Sequence, residues 1–217
     1  MIKFDQVTKR YPGSIDAIKG LSFQIDRGEM VFLAGHSGAG KSTLLKLISG
    51  IERATMGNVV VNGQNLSKLR ASQLPYVRQH IGVVFQDHKI LYDRSVFDNV
   101  MLPLDIIGFD RRESTRRVHA ALDKVGLLGK EKTNPIRLSG GEQQRLCIAR
   151  AVVHRPSILL ADEPSANLDR AYALDIMELF KSFHQVGATV VISAHDETLM
   201  ADYGRRIIRL AHGAFAA

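Results

Sequence analysis

The apolar run Val31-Phe32-Leu33-Ala34 passes directly into Gly35-His36-Ser37-Gly38-Ala39-Gly40-Lys41-Ser42-Thr43, and then into Leu44-Leu45-Lys46-Leu47-Ile48. A buried strand, a glycine-rich turn and an apolar helix in immediate succession leave little freedom of local fold. The glycines let the backbone curl so that successive N–H groups point inward, and the helix N-terminus adds a partial positive charge. Such a loop is a cradle for an anion. Gly35-x4-Gly40-Lys41-Ser42 has the spacing that encloses the β-phosphate of a nucleotide, with His36, Ser37, Gly38, Ala39 and Thr43 completing the loop. In that reading Lys41 reaches the β- and γ-phosphates, and Ser42 offers a hydroxyl to Mg²⁺.

The rest of the chain is consistent with that start. Short β-branched runs alternate with longer helical patterns. Strands are expected at Ile2–Val7, Leu21–Ile25, Met30–Ala34, Asn58–Val61, Ile81–Phe85, Ile158–Ala161, Thr189–Ser193 and Arg206–Leu210. Helices are expected at Lys41–Ile51, Arg111–Val125, Gly141–His154 and Arg170–Val186. The alternation predicts an α/β fold, a P-loop core on a parallel sheet, over a single domain spanning residues 1–217. Several strands and few helices near the N-terminus predict an antiparallel β-lobe beside it. The stretch from Asp87 to Arg137 is basic, helical and poor in strand signals, which predicts an inserted helical sub-lobe.

Two further segments carry chemistry. Ile158-Leu159-Leu160-Ala161-Asp162-Glu163-Pro164 is a buried strand ending in two carboxylates. Aimed at the phosphate loop, it puts Asp162 near the metal, and Glu163, one residue on, where it can deprotonate an attacking water. Leu138-Ser139-Gly140-Gly141-Glu142-Gln143-Gln144-Arg145 opens an apolar helix, with Ser139 as N-cap and Glu142 three residues later in a capping box. Two glycines exceed what a cap needs. They suggest close approach to an anion, the γ-phosphate of a nucleotide held by another subunit.

Composition narrows the class. The net charge is +7, but the basic residues form no long block, no aromatic ladder interleaves them, and Trp is absent. Nucleic acid is therefore not an expected partner. One cysteine, Cys147, excludes an internal disulfide, and its helical, apolar neighbourhood reads as core. No signal peptide pattern opens the chain and no apolar run is long enough to span a bilayer, so a cytosolic protein is expected.

The order of these segments resembles the ATP-binding-cassette ATPases over essentially the whole chain. The resemblance implies ATP and Mg²⁺ as cofactors and a homodimer enclosing two ATP molecules between phosphate loops and Ser-Gly-Gly segments. It implies that Tyr11 stacks on adenine, that Gln86 contacts Mg²⁺ and the water, and that Ser165-Ala166-Asn167-Leu168-Asp169 crosses the dimer interface. It gives His195 the role of a switch that holds the γ-phosphate. Catalysis then falls to Glu163, His195 and Gln86; Ser42, Gln86 and Asp162 hold the metal. Ala166 departs from the family's usual Gly, which removes easy access to positive φ but no catalytic group. The chain ends soon after Gly213, and no regulatory C-terminal domain is expected.

His36, the run Gln86-Asp87-His88-Lys89-Ile90-Leu91, the run Asp93-Arg94-Ser95-Val96-Phe97-Asp98-Asn99-Val100 and Ala194-His195-Asp196 are similar to the family's cell-division branch. That implies an integral-membrane partner docking on the helical sub-lobe near Ile90, Leu91, Leu102, Leu104 and Ile106. It also implies a peripheral position on the cytoplasmic side of the inner membrane, at the septum. Cassettes for lipoprotein release and macrolide export share much of the pattern and form the alternative. A soluble cassette acting on nucleic acid or the ribosome usually carries a long coiled-coil insertion or a second cassette, and neither is seen. A scaffold that binds ATP without hydrolysing it is opposed by Glu163 and His195.

Overall fold

The computed structural model describes residues 1–13, 16–166 and 168–216, with their side chains except those of Glu197 and Leu199. The chain runs through β1 (Ile2–Arg10), β2 (Asp16–Ile25), β3 (Met30–Ala34) and α1 (Lys41–Ile48). Next come β4 (Met56–Val61), β5 (Gln64–Asn65), α2 (Leu74–Arg78) and β6 (Ile81–Val84). Three helices follow, α3 (Val96–Ile107), α4 (Arg111–Lys124) and α5 (Gly140–Val152). After them lie β7 (Ile158–Asp162), α6 (Arg170–Gln185), β8 (Thr189–Ser193), α7 (Glu197–Asp202), β9 (Arg206–Ala211) and β10 (Ala214–Phe215).

Among the described residues the strands form two sheets. One has the order β2-β1-β4-β5 and is antiparallel throughout. The other has the order β10-β9-β3-β8-β7-β6, and all of it except β10 is parallel. This is an α/β fold with a parallel core and an antiparallel lobe.

Alternation along the central strands explains why the parallel sheet is covered on both faces. Met30, Phe32 and Ala34 point into a core shared with α3, α4, α5 and α6, through Val100, Leu122, Leu146 and Phe180. Val31 and Leu33 point the other way, into a core shared with α1 and the antiparallel sheet through Leu44, Ile48, Phe4 and Val59. The five residues of β3 are all buried, as a strand between two cores must be. Because the strands run parallel, the residues following β3, β6, β7 and β8 come out at one edge of the sheet. Register fixes this: Leu33 pairs with Ser193, Asp162 pairs with Ser193, and Val84 pairs with Ala161.

Several boundaries differ from the sequence reading for local reasons. α1 stops at Ile48, where the Ser49 hydroxyl donates back to the Leu45 carbonyl and Gly50 turns the chain at φ 65°. α5 stops at Val152, just before Arg155 at φ 56°. β2 begins at Asp16, upstream of the apolar run that announced it. α3 carries Pro103 in its interior, which breaks the pattern a sequence search follows. Ile90 and Leu104, expected on a docking surface, are buried in the core at 8% and 0% exposure, whereas Ile106 is 74% exposed. Helix periodicity explains the split, since Val100 and Leu104 share one face of α3 and Ile106 lies half a turn away.

The contact of α5 with β6 depends on Gly82, where an added Cβ would lie 2.1 Å from the Ala151 carbonyl oxygen. Gly82→Ala is expected to lower stability by about 1–3 kcal/mol in urea denaturation, because backbone rather than a flexible side chain has to move.

Candidate functional site

The site forms at the C-terminal edge of the parallel strands. Gly35 leaves β3 at φ 146°, and a Cβ there would sit 2.3 Å from the Leu210 carbonyl oxygen of β9. Gly40 stands at φ 108°, and its Cβ would lie 2.7 Å from the Ala17 carbonyl oxygen. Only glycine permits so close an approach, so the loop has one shape. Between these two residues the chain curls over the N-terminus of α1. A cavity of about 340 Å³ opens there, lined by Ala17, residues 37–43, Gln86, Glu163 and His195.

Lys41 dominates the electrostatics. Its side chain is 4% exposed, and its ammonium donates to the carbonyls of Gly35 (2.7 Å) and His36 (3.2 Å). It also lies 3.6 Å from the Glu163 carboxylate and 3.4 Å from His195 Nε2. Glu163 is the meeting point. His195 Nε2 is 2.5 Å from its Oε1, and the Gln86 amide donates to its Oε2 at 3.4 Å. Glu163 has φ 50°, a left-handed conformation that is strained for a residue with a Cβ. Its N–H donates to the Ser193 carbonyl and to the Ser193 hydroxyl (3.0 Å), which fixes the turn.

Ser193 was not foreseen. Buried completely at the end of β8, it also donates to Asp162 Oδ1 at 2.7 Å, and Ser42 donates to the same oxygen at 3.1 Å. Asp162 and Ser42 thus present hard oxygen donors beside the phosphate loop. Among the described residues no cluster of three or more His, Cys, Asp or Glu could hold a metal by itself. A hydroxyl and one carboxylate fit Mg²⁺, which commonly takes its remaining ligands from phosphates and water. The cradle of N–H groups and the buried ammonium fit a triphosphate.

The side chains of the remaining predicted residues do not line this cavity. The His36 ring lies tilted at 55° against that of His212 with centroids 4.8 Å apart, and its Nδ1 donates to the Ser37 carbonyl at 2.7 Å. Tyr11 does not line the cavity, and the Lys9 ammonium lies 4.8 Å from its ring centroid. Asn167, in the segment expected to cross an interface, lies outside the described residues.

Ser139, Gly140, Gly141 and Glu142 are not brought to the phosphate loop of the same chain. Ser139 caps α5 by accepting from the Glu142 N–H at 3.3 Å, and the Ser139 N–H donates to Glu142 Oε2 at 3.0 Å. Lys130 donates to the other Glu142 oxygen at 2.5 Å, so both carboxylate oxygens are engaged inside the chain. Ser139 and Gly140 are exposed, and a Cβ on Gly140 would meet nothing within 4 Å. At Gly141 a Cβ would meet the Tyr172 ring at 3.3 Å, so a side chain there would require that ring to shift.

The chain matches the family model described as ABC transporter over residues 18–166. It is 52% identical over 213 residues to the Cell division ATP-binding protein FtsE of Escherichia coli (strain K12), covering 98% of this chain and 96% of that one. The protein of the same name from Mycobacterium tuberculosis is 44% identical, over 98% of this chain and 93% of its own. Among solved structures, the dimeric post-hydrolysis state of the ATP-binding cassette MJ0796 bound to ADP and Pi superposes with a TM-score of 0.92 at 35% identity. That match covers 100% of this chain and 97% of the other.

The Glu142 carboxyl is held below its ordinary value, first by the hydrogen bond from Lys130 and then by the Ser139 N–H. A lowered folded-state pKa means that the contact stabilises fully above the ordinary value of 4.5 and is lost as pH falls through the lower folded value. Glu142→Gln keeps a capping acceptor and removes the ion pair. It is expected to lower urea stability at neutral pH by up to about 1 kcal/mol. The difference from the parent chain should close as the solution is taken well below pH 4.5, and a difference that persists in acid contradicts the assignment.

Proposed function

We propose that this chain, which belongs to the ABC transporter family and hydrolyses ATP, is the motor subunit of a membrane-attached cell-division complex. The observation that carries the catalytic part is the convergence of Lys41, Gln86, Glu163 and His195 on one cavity beside the Ser42–Asp162 pair. Identity of 52% over nearly the full length to a cell-division ATP-binding protein supports the biological part.

In this reading the loop N–H groups and Lys41 bind the β- and γ-phosphates, and the ammonium exchanges part of its contact with Glu163 for phosphate oxygens. Ser42 and Asp162 hold Mg²⁺, which neutralises phosphate charge when bound. Glu163, oriented by Gln86, accepts a proton from a water as its oxygen attacks the γ-phosphorus. The bond to the bridging oxygen breaks, and ADP and inorganic phosphate are formed. His195 donates to the γ-phosphate through the nitrogen that now faces Glu163. Positioning and electrostatic complementarity supply most of the acceleration. Tyr11 packs on the adenine. Ser139, Gly140 and the N-terminus of α5 meet the γ-phosphate of a second copy, which makes the active form a homodimer around two ATP molecules.

The partner is an integral-membrane protein of the FtsX kind, and motion from the closing dimer passes through it to cell-wall hydrolysis at the septum. A groove of about 570 Å³ supports this. Its wall includes Ile51, Phe85, Leu102, Pro103 and Ile106, with Arg78 on its polar side. Ile51 and Ile106 expose apolar surface at the mouth, at 45% and 74%. An apolar cytoplasmic helix of the membrane partner suits this lining, and Leu102 and Ile106 are the sequence-predicted residues that remain available to it. No helix among the described residues is long and apolar enough to cross a membrane.

Two substitutions test the catalytic assignment. Glu163→Gln is expected to lower turnover by ~10²–10⁴-fold and to trap an ATP-bound dimer seen by light scattering. Wild-type turnover in that variant would sink the role given to Glu163. Lys41→Ala should abolish binding of a fluorescent ATP analogue, since the buried ammonium is the principal positive charge facing the phosphates.

A further inference from the structure

The turn that follows β6 is held by a residue outside the catalytic cluster. Directly after Gln86 come Asp87, His88 and Lys89, and both His88 (φ 58°) and Lys89 (φ 50°) lie in the left-handed region. Two consecutive side-chain-bearing residues there are strained, and such a turn persists only when its surroundings over-determine it. Contacts inside the turn, the Lys89 N–H on the Asp87 carbonyl at 2.6 Å and the Asp87–Lys89 ion pair at 2.5 Å, do not tie it to the body of the protein. Arg150 does. Its guanidinium donates through Nη1 to the Lys89 carbonyl (2.7 Å) and through Nη2 to the His88 carbonyl (2.5 Å). The Cys147 thiol, one turn earlier on α5, donates to the same His88 carbonyl at 3.3 Å. Further along the turn, the buried Asn99 of α3 accepts from the Leu91 N–H and donates to the Leu91 carbonyl, both at 2.9 Å.

We propose that Arg150 is a positioning residue for hydrolysis, one that fixes the strained turn and thereby aims the Gln86 amide at Glu163. A planar fork suits two neighbouring carbonyls, which a lysine's point charge cannot engage in the same way. Arg150 lies on the helix that Ser139 opens, roughly 16 Å further along its axis. One rigid element therefore joins the segment facing a second copy's ATP to the glutamine facing this chain's water. Arg150 and Phe85 also line the apolar groove, so an occupant of that groove touches both the grip and the strand end that carries Gln86. The inference rests on the hydrolytic reading of Glu163 and Gln86 and adds the element that coordinates them.

The test is steady-state ATPase activity of the full chain for Arg150→Lys, Arg150→Ala, Gln86→Ala and the double variants. The fluorescent ATP analogue reports nucleotide affinity in parallel. Arg150→Ala is expected to lower kcat by about tenfold with nucleotide affinity unchanged, and Arg150→Lys to fall between it and the parent. Because Arg150 acts through Gln86, each double variant should be no slower than Gln86→Ala alone. Losses that multiply, an unchanged kcat in the Arg150 variants, or a loss confined to nucleotide affinity overturn the proposal and leave the hydrolytic reading standing. An unchanged kcat in Gln86→Ala overturns both. If Arg150→Ala does not fold, Arg150→Lys decides the question with the same cycle.

Discussion

A buried ammonium sets the terms for this structure. Lys41 has almost no contact with solvent, and an unpaired charge in that position would be strongly destabilising. It is satisfied by the Gly35 and His36 carbonyls and by the nearby Glu163 carboxylate. Each of those partners has its own structural requirement. The Gly35 carbonyl is where it is because the loop passes against Leu210 of β9 without a Cβ. Glu163 is where it is because β7 pairs with β8 and Ser193 holds its N–H in a left-handed turn. The order of the parallel sheet and the shape of the loop are thus two sides of one electrostatic constraint.

The same arrangement explains how a compact site can exchange partners during a reaction. The cation that pairs with Glu163 is also the one that would attract phosphate oxygens in the proposed reaction, and His195 faces both Lys41 and Glu163. Competition of this kind needs a rigid frame, because a shift of a few tenths of an ångström changes which contact is preferred. β3, β7 and β8 provide the frame from a sheet buried on both faces. Outside it, α5 and α3 grip the turn that follows Gln86, through Arg150 and Cys147 on one helix and Asn99 on the other.

Much of this was legible in the sequence. Gly35 to Ser42 specified a loop because glycine spacing is a backbone requirement, visible residue by residue. Asp162 and Glu163 were legible because two carboxylates ending an apolar strand are rarely accidental beside such a loop. The order of strands and helices foretold the α/β core and the antiparallel lobe. What escaped is of another kind. Ser193 looked like any strand-end serine, yet its hydroxyl links Asp162 to the Glu163 backbone. The Arg150 contacts reach carbonyls 61 and 62 residues away, and backbone acceptors leave no mark in a sequence. The Tyr172 ring, which a Cβ at Gly141 would meet at 3.3 Å, comes from a distant helix and leaves no mark beside that glycine in the sequence. Pro103 concealed α3, and the run of apolar residues around it hid which ones faced the core.

The most direct test of the central claim, that ATP is closed between the phosphate loop of one copy and the Ser139 segment of another, is a cross-link across that gap. One chain would carry Ser37→Cys and the other Ser139→Cys, both on exposed residues and both in the Glu163→Gln background. The native Cys147 does not interfere, since burial pushes its thiol to about 11 and keeps it protonated. With a short bis-maleimide, the account predicts a covalent heterodimer that forms with ATP and is lost without it. Cross-linking that is absent with ATP, or equal in its absence, would contradict the shared site.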